Sequence, residues 1–270
     1  MKNLYQEAQY CFLLSDPDEK LDASFAVAGA FQASQLEWKE GDVPENLVMP
    51  GRLNRPVLVP PDSVSRRGFG TITQRAALIH ALAHIELTAV NLAWDCIYRY
   101  REMPYEYYQD WVSAAADEAK HFFALRGRLR AMGFDYGDFA AHDELWESAV
   151  QTAGDLVDRM GILHRVYEAR ALDVVPKTLD KFQAIGDSKT ADVLATVAND
   201  EVRHVGAGTR WFRYRCEQKG TDPDSLFFCL LKKYMNRYPK GPFNKEARSK
   251  AGFSDQELAM LECYDGARCN

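Results

Sequence analysis

Two short segments combine residue types that bind metal ions, and they repeat one pattern. Residues 117–121 (DEAKH) and 200–204 (DEVRH) both read Asp-Glu-x-basic-His. On an α-helix, a Glu and a His three residues apart lie about one turn apart on the same side, so both side chains can reach one metal ion. One such pair is common on exposed helices, but two copies with the same leading Asp and a basic fourth residue predict a metal site.

Each motif is preceded by a glutamate in an apolar segment. Glu86 lies 32 residues before Glu118, and Glu168 lies 33 residues before Glu201. A charged residue is rarely buried without a partner, and two cations would supply one. The alternative is a metal-free bundle in which Glu86 and Glu168 bond to Arg or Tyr side chains. The predicted ligands are four carboxylates and two imidazoles: Glu86, Glu118, His121, Glu168, Glu201 and His204.

The sequence resembles the ferritin-like superfamily of di-iron carboxylate proteins and, more narrowly, a bacterial branch of it catalogued as a domain of unknown function. The segments that carry this resemblance cover most of residues 50–215: PGRLNRPVLVPP, HALAHIELTAVNLAWD, DEAKHF, YGDFAAHDELW, YEARALDV and GTRWF. The resemblance implies an all-α, ferritin-like four-helix bundle with a long crossover. In such bundles two helices each supply a Glu and the other two each supply a Glu-x-x-His pair.

The resemblance also assigns roles beside the ligands. Asp117 and Asp200 are expected to hydrogen-bond a ligand His, which fixes its tautomer and raises its basicity. Lys120 and Arg203 would then neutralise these aspartates, although Lys120 departs from the Arg usual at that place and lacks its bidentate geometry. No catalytic residue is predicted beyond the metal ligands.

Carboxylate and imidazole ligands suit iron or manganese. The expected cofactors are therefore two iron ions, or iron with manganese. The leading hypothesis is O₂-dependent oxidation or hydroxylation of a substrate, supported by an external electron donor. The alternatives are ferroxidase activity, peroxide scavenging or metal handling, and a metal-free interaction protein. Storage is less favoured because the chain carries roughly 100 residues more than a bare storage bundle needs.

A basic stretch indicates RNA as a second candidate partner, in addition to a small-molecule substrate. Residues 203–250 hold twelve Lys or Arg and four Asp or Glu, while the whole chain has a net charge of −6. Such asymmetry can mark a nucleic-acid-binding face, and interleaved aromatic residues could stack on bases. The superfamily contains a tRNA-modifying hydroxylase, which is a precedent. The simpler interpretation is a solvated basic face.

Bulk properties favour a cytoplasmic globular protein. The 270 residues are 47% hydrophobic and 27% charged, with no apolar run of eighteen residues and no secretory signal expected at the N-terminus. The six cysteines form no Cys-x-x-Cys pair, which argues against a rubredoxin-type centre and favours reduced thiols.

The chain divides into three predicted parts within one compact domain. Residues 1–70 form helices, interrupted at Asp16-Pro17, and a proline-rich extended strap. The strap is interpreted as a surface element, with a lid or an oligomer contact, such as a homodimer interface, as the alternative. Residues 71–220 form the bundle and residues 221–270 a helical tail.

Four bundle helices are predicted from caps and breakers. The first runs from Thr71 or Thr73 to about Tyr100, and the second from about Pro104 to Met132. The third begins near Asp143 or Glu144 and continues past Glu168, and Pro176 is expected to kink or break it. The fourth follows the break at 186–188 and ends near Lys219.

Four further residues are weighed as site candidates. His80 and His84 lie on a different face from Glu86 and are expected to be satisfied histidines beneath the strap. His164 lies one turn before Glu168 and is a candidate to line a pocket. Tyr167 is either a redox tyrosine or, more simply, a core aromatic residue.

Overall fold

Helices make up almost all of the regular structure. A computed structural model describes residues 2–38, 44–235 and 238–265. In these ranges the strands are β1 (Lys2–Asn3) and β2 (Leu36–Glu37), which pair in parallel. The predicted all-α class is therefore confirmed.

The chain divides into two compact units, of which the first is Met1–Glu147. Its helices are α1 (Leu4–Leu13), α2 (Pro17–Gln32), α3 (Ile72–Arg99) and α4 (Tyr105–Ala131). α3 packs along α4, while α1 packs on α3 and α2 packs on α4. Because a short connection joins α3 to α4, the two form an antiparallel hairpin.

The ends of these helices follow from local sequence. The Thr71 hydroxyl accepts a hydrogen bond from the amide of Gln74, whose side chain bonds back to the amide of Thr71, a capping box that starts α3. Asp16 caps α2, with Pro17 in the first turn. Gly133 adopts a φ of 86° just after α4, where a left-handed residue ends a helix.

The proline-rich segment between α2 and α3 is extended in its described part, apart from a 3₁₀ turn at Pro61–Ser63. The amide of Val59 donates to the carbonyl of Ala141 over 2.8 Å, which ties this strap to the crossover after α4. Residues 41–43 of the predicted strap lie outside the described residues.

The second unit is Ser148–Asn270, and α5 (Glu144–Gln151) spans the boundary. α6 (Leu156–Arg159), a π-helical segment (Met160–Glu168) and α7 (Ala169–Ala184) follow one another without interruption and pack along α8 (Ser188–Gln218). The remaining helices of this unit are α9 (Pro223–Tyr234), α10 (Lys245–Lys250) and α11 (Asp255–Asp265). The four-helix bundle itself stays a prediction.

The predicted third bundle helix is wrong at its beginning. A single helix from Asp143 or Glu144 past Glu168 was expected, but α5 ends at Gln151 and a turn precedes α6. Asp155 causes the restart because its carboxylate accepts from the amide of Val157 over 3.0 Å.

Pro176 was expected to kink or break the helix, and the break is wrong, because α7 continues through this residue. A proline removes the amide that would donate to the carbonyl four residues earlier. Here that carbonyl belongs to Leu172, and the side-chain amide of Asn244 donates to it over 3.2 Å. A side chain distant in sequence thus replaces the missing hydrogen bond.

α3 is long and apolar enough to cross a membrane, but 72% of its most apolar window is buried inside the structure. Buried helices of soluble proteins have the same composition. The helix therefore fits the core of a soluble protein.

Candidate metal centre

The first unit brings three of the predicted ligands together. Glu86 lies on α3, and Glu118 and His121 lie on α4. The Nδ1 atom of His121 is 3.2 Å from Glu86 Oε2 and 3.2 Å from Glu118 Oε2. All three residues are at most 4% exposed. This buried group of carboxylates and imidazole could hold a metal ion.

Apolar neighbours place these charged groups inside. On α3, Ile79, Ala83 and Val90 recur at helical spacing around Glu86 and are completely buried. On α4, Ala115 and Phe122 flank Glu118 in the same way. Because the carboxylates lie on these apolar faces, they are buried when the faces pack together.

The negative charge of the buried carboxylates must be offset by protons or by a cation. Burial raises the pKa of Glu86 to about 8, and the nearby Glu118 carboxylate adds to the rise. Burial by itself lowers the pKa of His121, but the bonds to Glu118 and Glu86 outweigh it and raise that pKa overall. At neutral pH the Glu86 carboxyl and the His121 imidazole thus both hold a proton, and a divalent cation could take the place of these protons.

Each motif contains the same local ion pair. Lys120 Nζ lies 3.0 Å from Asp117 Oδ1, and Arg203 Nη2 lies 2.8 Å from Asp200 Oδ1. The two cationic side chains are 64% and 58% exposed, which leaves them largely in water. They neutralise the aspartates at little desolvation cost.

In the second unit, Glu201 and His204 are buried on α8 at 5% and 4% exposure. Glu168 ends the π-helical segment, and its Oε2 lies 2.5 Å from Nδ1 of the buried His164. Among the described residues of this unit, Glu168 and His204 join no close group of three ligand atoms. His164, predicted only as a candidate to line a pocket, is therefore a direct partner of Glu168.

Gly208 explains how the π-helical segment comes close to α8. A Cβ atom at this position would lie 2.3 Å from the Cβ atom of His164, closer than real side chains approach. Single π turns inside helices occur frequently at functional sites. The glycine in the middle of a predicted helix was the available sequence signal for this close approach.

The other candidates have structural neighbours. His80 Nε2 accepts from the amide of Gly137 over 2.9 Å, and His84 Nδ1 lies 2.8 Å from the Tyr136 hydroxyl. Tyr167 is partly buried beside Glu168, and its redox role stays a prediction.

The basic stretch is largely matched by carboxylates. Arg248 is buried with Asp173 at 2.7 Å, and Lys233 lies 2.8 Å from Asp158. Further pairs are Arg203–Asp200, Arg213–Glu257, Lys219–Asp155, Lys245–Glu262 and Lys250–Glu246. RNA binding by this stretch stays a prediction.

Comparison with known proteins gives a family without an assigned activity. A family model described as "Protein of unknown function (DUF455)" matches residues 13–259. A Haemophilus influenzae protein described as "Uncharacterized protein" is 37% identical over 214 residues, which cover 77% of this chain and 74% of that one. No solved structure gives a significant match.

Proposed function

Because the chain belongs to the DUF455 family, whose description states no activity, we infer its function from the site. We propose that it is a ferritin-like di-iron carboxylate protein, with iron and manganese as the alternative pair. Its reaction would be the O₂-dependent oxidation or hydroxylation of a small molecule, with electrons from an external donor.

One observation carries this proposal. In a buried setting, His121 Nδ1 lies 3.2 Å from one carboxylate oxygen of Glu86 and 3.2 Å from one of Glu118. Oxygen and imidazole donors suit iron and manganese, whereas sites for softer metals use thiolates. The raised pKa of Glu86 supports the assignment, because an ion in the group would remove the cost of ionising it.

We propose that the repeated motif supplies the ligands of a second ion, namely Glu168, Glu201 and His204. The support is the shared spacing, the burial of Glu201 and His204 beside a partly buried Glu168, and the ion pair that both motifs contain. His164 would orient the Glu168 carboxylate through its Nδ1 atom, as a residue that acts on a ligand and not on the metal.

When bound, two reduced ions would supply the two-electron reduction of O₂, and the protein sets access and polarity. Glu86 and Glu118 would balance the positive charge, and His121 would give up its Nδ1 proton to become a ligand. The surrounding apolar residues, such as Ile79 and Val90, would exclude bulk water.

The test is metal analysis of untagged protein, followed by anaerobic loading of the metal-free protein with Fe(II) and exposure to O₂. We expect about two ions per chain and an absorption change on exposure to O₂. Uptake of many more ions per chain would favour storage instead. No metal binding by the folded protein would refute the proposal.

A further inference from the structure

A second site lies within the first unit, on the other side of α3. His84, Leu87 and Asn91 line a cavity of about 480 Å³, a volume that includes its opening to solvent. Residues 84 and 86 differ by about 200° around a helix, so this cavity lies on the face opposite Glu86.

The cavity has a cationic wall. Lys20, Arg52 and Arg55 line it, and none of its lining residues is acidic. Arg52 forms a two-pronged ion pair with Asp143, at 2.6 and 2.8 Å, which balances one of the three charges. Arg55 is exposed, and Lys20 has no carboxylate partner among the described residues.

Lys20 is the unusual member because it is 1% exposed. Its Nζ donates to the carbonyls of Cys11 and Phe12 over 2.8 and 2.9 Å, at the end of α1. An ammonium group has three N–H donors, so one is left for a ligand. Burial lowers the pKa of Lys20 to about 7, the effect expected of a buried cation that lacks an anion.

The strap is held at this cavity by its backbone. The amide of Gly51 donates to the carbonyl of Phe12 over 3.0 Å, and a Cβ at Gly51 would lie 2.0 Å from the carbonyl oxygen of Leu13. Only glycine allows this approach, which positions the next residue, Arg52, at the cavity wall.

Two buried polar atoms in the cavity wall have no hydrogen-bond partner among the described residues, His84 Nε2 and Asn91 Oδ1. The Tyr136 hydroxyl lies 2.8 Å from His84 Nδ1, and burial raises the pKa of this hydroxyl. In the tautomer in which Nδ1 accepts from this hydroxyl, His84 Nε2 carries the hydrogen and is a donor. Buried polar groups normally find a partner, so the unsatisfied His84 nitrogen beside a cationic wall indicates a ligand. The Asn91 oxygen only accepts hydrogen bonds and would need a donor group on that ligand.

We propose that this cavity, which we call the strap pocket, binds a small organic anion. The carboxylate or phosphate group of the anion would contact Lys20 and Arg55. The apolar part of the molecule would lie against Leu53, Leu58 and Leu87. The His84 Nε2 hydrogen would bond to the same anionic group. The residues that line this pocket differ from the metal-ligand candidates, so anion binding can be measured in the metal-free protein.

The test is calorimetric titration of the full chain at constant ionic strength with hexanoate, hexyl phosphate and inorganic phosphate, with hexan-1-ol as the uncharged control. We expect at least one of the two organic anions to bind at least about ten-fold more tightly than the alcohol, the loss expected for one charge-assisted hydrogen bond. The anion that binds more tightly shows whether the pocket prefers a carboxylate or a phosphate group.

Two variants and a matched control test whether the anion binds in the strap pocket. Arg55→Gln, at an exposed position, should weaken anion binding about ten-fold. Asn91→Leu should fill the cavity and abolish binding while the protein stays folded, as judged by its melting temperature. Arg66→Gln removes the same charge from an exposed strap residue outside the pocket and should leave affinity within about two-fold. Equal weakening by Arg66→Gln, or no anion binding up to about 10 mM, would overturn the proposal.

Discussion

The Nδ1 atom of His121 lies 3.2 Å from the Oε2 atom of Glu86, although the two residues are 35 positions apart on different helices. The same nitrogen lies 3.2 Å from Glu118 Oε2. Nδ1 is therefore the ring atom that a metal at this group would meet. Because a hydrogen on Nδ1 bonds to the carboxylates in the metal-free protein, metal binding must release it.

Replacing Glu118 with Gln should abolish metal binding at the first group, because a neutral amide loses both the charge and a strong ligand oxygen. The measurement is metal content per chain after loading with Fe(II) or Mn(II). Glu106→Gln is the control, since Glu106 is exposed on the same helix. Equal metal content in the two variants would contradict the assignment of Glu118.

The metal-free protein should become less stable as pH rises from about 5 to 8. The pKa of Glu86 is raised from 4.5 to about 8, so its stabilising contribution is complete below about 4.5 and is lost as pH rises through about 8. His121, whose pKa is also raised, acts in the same direction above its ordinary value of 6.5. The unfolding free energy of wild type relative to Glu86→Gln should therefore fall over this range.

Denaturant unfolding at several pH values measures this difference in unfolding free energy. Glu86→Gln removes the titrating carboxyl of Glu86 and leaves the other titratable groups in place. Adding Mn(II) should reverse the trend for wild type, since ligands bind metal when deprotonated. A pH-independent difference between the two proteins would show that Glu86 is not held protonated.

Gly208→Ala should destabilise the protein and disturb the His164–Glu168 pair. The new methyl group would lie 2.3 Å from His164 Cβ, so α8 and the π-helical segment must separate. Overpacking of this kind costs about 1–3 kcal/mol. Gly206→Ala is the control, because its methyl group would meet Ala251 Cα at 3.9 Å, an ordinary contact.

Unfolding free energies and metal affinity of the two glycine variants provide the measurement. Gly206→Ala should be neutral or stabilise the helix by up to about 1 kcal/mol, the usual difference between Gly and Ala. If Gly208→Ala behaves like Gly206→Ala, the close approach at His164 does not exist.

Breaking the Arg165–Glu257 pair should be strongly destabilising. Arg165 lies on the π-helical segment, its Nη2 is 2.5 Å from Glu257 Oε1, and both side chains are completely buried. The guanidinium also lies 4.4–4.7 Å from the ring centroids of three phenylalanines. Glu257→Gln leaves this cation uncompensated and should cost about 3–5 kcal/mol.

The double variant Arg165→Met with Glu257→Leu should recover much of that loss, because no unpaired charge remains. Thermal or urea unfolding of the single and double variants distinguishes the outcomes. A loss below about 1 kcal/mol for Glu257→Gln would mean that the pair is solvated and not buried.

The sequence by itself determined the features that depend on near neighbours. Glu118 and His121 share a side of α4 because helical geometry fixes residues three apart. Thr71 and Asp16 marked helix starts because their side chains bond to amides two or three residues ahead. The repeated motif and the apolar setting of Glu86 were likewise sufficient to choose the candidate ligands.

Only the tertiary structure decided the features that depend on contacts distant in sequence. Pro176 stays within α7 because Asn244, far along the chain, donates to Leu172, and no local rule contains that bond. The close approach of the π-helical segment to α8 requires Gly208 opposite His164, a contact that residue spacing does not encode. The strap pocket likewise exists because Gly51 meets the end of α1, so residues separate in sequence share one cavity.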